Sequence, residues 1–314
     1  MKRYFNYLFA LALVMSMQGC SKDLVVTDEP NDPEKFEEVQ LRLTGEVAYM
    51  TPETRLDARG GVDGDLFGVY TTTGKMGPNK NSAPKNAKYV YKNGTIEAAD
   101  DNNMIYWEDG KDLDIYAYYP YDKNNSTSVT EHTFTIPTDQ SNESNYYNSD
   151  FLRAVYEDVK KTSSPVEMTF YHLMSKVSVT ITHDSSFTDD NFNNLTKVLT
   201  IEGVEDSGNV NISKGEVAAS SKKESLSFTA RANGNTFSAI IFPQSRSNVK
   251  FRLKHGNDYY SSTMDIAYQS GKEYKYTFTV TKNEGALSLK STNINEWTVG
   301  SEITQKMTKE TSSN

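Results

Sequence analysis

One thiol, four imidazoles and two neighbouring guanidinium groups are the side chains of this 314-residue sequence best placed to do chemistry. The thiol is Cys20, the only cysteine in the chain. It is preceded by the charged start Met1-Lys2-Arg3, a short apolar run over 7–17, and Gln18-Gly19. A charged start, a brief apolar stretch and a small residue before a cut describe a secretory signal peptide over 1–19. The run is too short to cross a bilayer, which takes roughly 20 apolar residues as a helix. A cysteine directly after the small residue resembles a bacterial lipobox, whose thiol is lipidated and becomes the new N-terminus. Cys20 is therefore read as a lipid anchor, which leaves no cysteine for a disulfide within the chain.

The imidazoles are His132, His172, His183 and His255, far apart in sequence and without the His-Glu-x-x-His spacing of a zinc helix. His172 lies on an apolar strand face and is expected to be a hydrogen-bonded core residue. The acidic stretches Asp100-Asp101-Asn102-Asn103 and Asp189-Asp190-Asn191 lack calcium-loop spacing and read as solvated turns. There is no phosphate loop and no nucleophile elbow. No catalytic residue, metal or cofactor is assigned, and the chain is not read as an enzyme. Loss of Lys2 and Arg3 with the leader takes the net charge from −9 to −11, since residues 1–19 hold no acid. An acidic chain without basic runs lacks the cationic footprint that phosphate contacts require, so nucleic acid is excluded as a partner.

The guanidinium groups are Arg55 and Arg59, in Thr54-Arg55-Leu56-Asp57-Ala58-Arg59-Gly60-Gly61. This polar, glycine-rich stretch between two strand candidates is the kind of loop that proteases nick. On composition alone, ordinary solvated arginines account for the stretch better. Tyr106 and Trp107, with Tyr116, Tyr118, Tyr119 and Tyr121, offer a stacking platform for sugars. The same residues serve an aromatic core, because alternate residues of a strand face opposite sides.

The elements that must position these residues read as strands. Twenty tyrosines and 14 phenylalanines suit pleated, half-buried surfaces. Residues 20–38 form a charged, proline-containing tether. From Val39 the pattern turns to period two, with Val39, Leu41, Leu43 and Val47 on one side. Further strands are expected over 66–70, 88–92, 104–107, 113–119 and 132–136, with turns at Asn93-Gly94 and Asp109-Gly110. Ser163-Ser164-Pro165 divides the chain into 39–164 and 165–314. Beyond it, alternation through Val166, Met168, Phe170 and His172 changes phase at Leu173, as a bulge or a crossing between sheets would. Tyr274, Tyr276, Phe278 and Val280 are expected to point inward. Many short strands separated by turns indicate an all-β chain of two tandem β-sandwiches.

In this order, the lipobox at Cys20, Thr54-Arg55, Gly64-Asp65-Leu-Phe-Gly-Val-Tyr70, Ile105-Tyr-Trp107, Leu113 to Pro120, Asp139-Gln140-Ser141, Ser149-Asp-Phe-Leu152, Phe170 to Val177 and Asn295-Glu-Trp297 resemble the fimbrillin family. Those proteins are the subunits of type V pili in anaerobic Gram-negative bacteria. The resemblance implies transthyretin-like, Greek-key sandwiches and delivery to the outer membrane as a lipidated precursor. It implies an arginine-specific protease acting at Arg55 or Arg59, which sequence does not separate. The strand removed would be Val39–Val47, and a neighbouring fimbrial subunit would refill the groove by strand addition. A tip or accessory place is implied by the stretch 300–314, where Ile303 and Met307 stand four apart instead of alternating. Adhesion to a host or bacterial surface ligand follows from the family. The alternative is a permanently anchored surface lipoprotein that binds glycans through Tyr106 and Trp107.

Overall fold

The computed structural model describes residues 38–47, 63–125, 128–220, 226–282, 286–296 and 308–309. These are mostly extended, with two short α-helices, Glu143–Asn148 and Asp189–Asn193, among the described residues. The all-β reading therefore holds.

Seven strands form one closed ladder. They are β1 (Leu43–Val47), β2 (Leu66–Thr71), β3 (Ala87–Lys92), β4 (Thr95–Ala98), β5 (Leu113–Tyr119), β6 (Leu152–Val159) and β7 (Val166–His172). Their order is β1-β7-β6-β5-β2-β3-β4, and β4 returns to β1. Each pairing is antiparallel except that of β1 with β7, which is parallel. Asn93 and Gly94 join β3 to β4 with φ of 50° and 89°, the pair of left-handed residues that a two-residue hairpin needs. Alternation fills the barrel: Phe67, Tyr89, Ile96, Leu113, Ile115, Ala117 and Phe170 are fully buried. Closure of the ladder through β1 is a detail that period-two patterns do not contain.

β7 follows Pro165 directly and pairs with β1 and β6, so the barrel extends past the division expected at Ser163-Ser164-Pro165. The chain crosses to a new sheet after Leu173, where the phase changes. There Ser175–His183 takes the centre of a five-stranded sheet, flanked by Thr236–Ile241 and Lys272–Thr281. A second five-stranded sheet is built on Lys197–Val204, Ser245–His255 and Asp258–Ala267. The two share one core, in which the Phe251 ring lies 5.0 Å from Tyr276 and 5.4 Å from Phe278. Tyr274, Tyr276, Phe278 and Val280 are buried as expected.

An aromatic junction ties the barrel to the rest. On the outer face of β5, Tyr118 stacks on Phe151 at 5.6 Å and 10°. Gly68 of β2 lies beneath it, where an added Cβ would fall 1.9 Å from the Tyr118 ring. The sheet of His132–Thr135, Ser207–Asn211 and Glu216–Ala219 covers this surface. Arg153 of β6 donates to the carbonyl oxygens of Ile212 and Ser213.

His132 sits inside the junction with its ring 5.2 Å from both Tyr118 and Phe151. It is fully buried, and neither ring nitrogen has a hydrogen-bond partner among the described residues. Burial pushes its pKa down to about 4, with Asp122 opposing weakly. Between pH ~4 and ~6.5 the unfolded chain therefore binds a proton that the folded chain refuses. Stability is complete above pH ~6.5 and falls with pH through that window, by roughly 3 kcal/mol in all. Urea unfolding at pH 7 and pH 4.5 checks this. His132→Phe should stay within about 1.5 kcal/mol of the parent at pH 7 and lose most of the difference between the two pH values.

Candidate functional site

The segment 38–47 lies in a groove of the barrel and completes it. Its first half runs beside Ile105–Tyr106. The Leu41 amide donates to Ile105 O at 2.8 Å, the Trp107 amide donates to Val39 O at 3.0 Å, and Gln40 bridges Tyr106. The buried Tyr89 hydroxyl donates to Leu41 O at 3.1 Å. The second half is β1, which pairs with β7 from Leu43↔Val166 to Val47↔Phe170. On its other side β1 meets β4 through Leu43↔Ile96. Beside that thin contact, Gln40, Leu41 and Arg42 face Glu97, Ala98 and Met104 across a small cleft. Pairing thus passes from Ile105–Trp107 along the first half to β7 along the second, and the contact with β4 is thin.

Alternation decides what the groove holds. Leu41, Leu43 and Val47 are buried and Val39 packs at the margin, all against the barrel core. Full burial of such a side chain is worth about 1.5–3 kcal/mol, so the row contributes several kcal/mol. The polar ties are weaker. Arg42 donates to Ser163 O at 2.7 Å, and Lys80 pairs with Glu38 at the surface, where an ion pair is worth about 0–1 kcal/mol.

The structure therefore brings Val39, Leu41, Leu43 and Val47 together with Tyr106 and Trp107. Tyr106 is half-buried opposite Gln40, with Lys80 over its ring at 4.8 Å. Trp107 is 7% exposed and belongs to the barrel core. With segment 38–47 in place, the two aromatics form a wall of the groove and Trp107 has no open stacking face. Cys20, Arg55 and Arg59 lie outside the described residues. The other histidines are apart: His172 Nδ1 meets Asp150 at 2.9 Å, His183 meets Asp189 at 2.9 Å, and His255 meets Phe192 O at 3.0 Å. Among the described residues no three His, Cys, Asp or Glu side chains converge as a metal site would require. Sequence reasoning missed Phe170, Ile96, Tyr89 and Gly45 as parts of this groove. Gly45 carried a signal, being a glycine at an inward position of an alternating strand.

Residues 54–297 match the fimbrillin-like family, and the chain belongs to that family. It is thus a fimbrial protein, of a structural kind found at the cell surface. A candidate cell adhesion protein from Bacteroides ovatus shares its fold with a TM-score of 0.67 at 20% identity, over 84% of this chain and 99% of that one. Another from Bacteroides uniformis gives 0.62 at 22% identity, over 83% and 98%. A fimbrial protein from Bacteroides vulgatus gives 0.50 at 14% identity, over 82% and 99%. No curated protein matches the chain.

If apolar burial holds β1, Leu43→Ala should make its opening easier by about 2–5 kcal/mol. Faster hydrogen exchange at the Leu41 and Val166 amides, which bond across the groove, would report it. Lys80→Ala should change the same rates by under about 1 kcal/mol.

Proposed function

We propose that the chain is a structural and adhesive subunit of a cell-surface fimbria, assembled by donor-strand exchange. It is exported as a lipoprotein anchored to the outer membrane through Cys20. An arginine-specific protease then cuts after Arg55 or Arg59, releasing the tether together with segment 38–47. A strand from a neighbouring fimbrial subunit takes the vacated groove, and adhesion and biofilm formation follow from the assembled fibre.

The observation that carries this reading is the seating of segment 38–47. It is held by strand pairing and apolar burial, upstream of both arginines, so a cut in the linker leaves it attached by noncovalent forces only. The family match opens at Thr54, downstream of that strand, which supports the same reading. The physics of refilling is strand addition, with ladder hydrogen bonds giving affinity and alternate side chains giving specificity. An empty groove would expose the unpaired edges of β7 and β4, a template for another chain. A tip or accessory place rests on the absence of alternation over 300–314. The two-module division at Ser164 is retained as the unit of assembly, with β7 shared into the first barrel.

N-terminal sequencing of the fimbria-associated protein tests the proposal. The expected start is Leu56 or Gly60. An Arg55→Ala/Arg59→Ala double variant should stay full-length and lipidated and should fail to enter fimbriae. Normal assembly of that variant, or a blocked Cys20 as the N-terminus of the assembled form, would overturn it.

A further inference from the structure

Gly45 stands at the inward position between Leu43 and Val47, where the alternation calls for an apolar side chain. Its backbone gives no reason for glycine, since its φ is not in the left-handed region. Space gives the reason. A Cβ built on Gly45 would lie 2.6 Å from Phe170 Cε2, 3.0 Å from Phe170 Cδ2 and 3.4 Å from Ile96 Cδ1. The first distance is shorter than real carbon contacts allow, so the Phe170 ring would have to move.

That ring has little freedom. Phe170 is fully buried, and its ring lies 5.4 Å from Phe67, which in turn lies 5.5 Å from Tyr119. Phe67 is itself fully buried and Tyr119 nearly so. Displacing Phe170 disturbs a packed series of rings, and overpacking of such interiors is resisted. The groove therefore offers deep places for Leu43 and Val47 and, between them, a floor raised by Phe170.

We infer that this groove selects its occupant by size: the incoming strand must carry glycine where the Phe170 ring fills the groove, with apolar residues two positions before and two after. The inference rests on the strand-exchange reading and names the chemistry of the partner. The pattern apolar-x-Gly-x-apolar is the same read in either direction, so it constrains a strand entering parallel or antiparallel to β7. The chain's own stretch 298–314 does not supply it, because Gly300 is flanked two away by Thr298 and Glu302. The resident Leu43-Thr44-Gly45-Glu46-Val47 does supply it, and the occupant we propose is a strand of another fimbrial subunit that carries the same pattern.

The test uses the full chain with one engineered protease site in the 51–62 linker, cut so that segment 38–47 stays bound. Fluorescent decapeptides of residues 38–47 are then offered in parental, Thr44→Val, Gly45→Ala and Gly45→Val forms. The parental and Thr44→Val peptides should replace the resident segment equally. Gly45→Val should bind at least about tenfold more weakly, with Gly45→Ala between, and Phe170→Leu in the receiving chain should restore much of the loss. A 298–314 peptide should not enter. Equal entry of the Gly45→Val peptide would overturn the size rule and leave strand exchange standing. Failure of every peptide to enter would overturn strand exchange itself, and the size rule with it.

Discussion

The burial of one apolar row, Leu41, Leu43 and Val47, is the constraint on which the barrel depends. The rest of its ladder is built largely from sequence neighbours: β2 with β3, β3 with β4, β5 with β6, and β6 with β7. Closure alone requires Leu43 to find Val166 across more than a hundred residues of chain. Such a long-range parallel contact is slow to form, because loop-closure entropy is lost before the contact gains anything. Closing the barrel removes two exposed edges at once. The strand that completes the fold is therefore also one whose loss would expose the pairing edges of β7 and β4.

The forces on segment 38–47 are unequal in a way that suits release. Its hydrogen bonds run along β7 and Ile105–Trp107, while its contact with β4 is thin. Its ionic ties lie at the surface, where salt and water screen them. Gly45 adds no burial and leaves a strand residue with more backbone freedom to lose, a cost of about 0.5–1 kcal/mol against alanine. The segment is held by the Leu41, Leu43 and Val47 side chains, and a strand with a comparable row can compete for the same places.

Period-two alternation made much of this legible. Leu113–Tyr119, Val166–His172 and Lys272–Thr281 were readable because each presents one buried face, and the phase change at Leu173 marked the crossing between sheets. Long-range pairing was not legible. Tyr106 and Trp107 left a sugar platform and an aromatic core both open, because nothing near them in sequence reveals that residues 39–41 lie against them. Helix Glu143–Asn148 carries no clear period: it is short and polar, buries only Tyr146, and has its N-terminus capped by the Asn142 side chain. Nothing near Arg153 in sequence reveals that the Ile212 and Ser213 carbonyls lie beside it. Cys20, Arg55 and Arg59 lie outside the described residues, and the roles proposed for them rest on the sequence alone.

The position of the groove on the barrel completes the argument. Around the ring of seven strands, β5 and β2 are the farthest from β1. They are also the strands that carry Tyr118 and Tyr70 into the aromatic junction with Phe151, His132 and Phe134. Opening the barrel at β1 therefore leaves the aromatic junction intact, while β7 still runs on through Leu173 into the second core. A barrel that opened at β5 or β2 would lose its hold on the remaining sheets as it gained a partner. In the proposed assembly, opening at β1 would free one side of the barrel for a partner strand while Tyr118 and Tyr70 keep their contacts with the junction on the other.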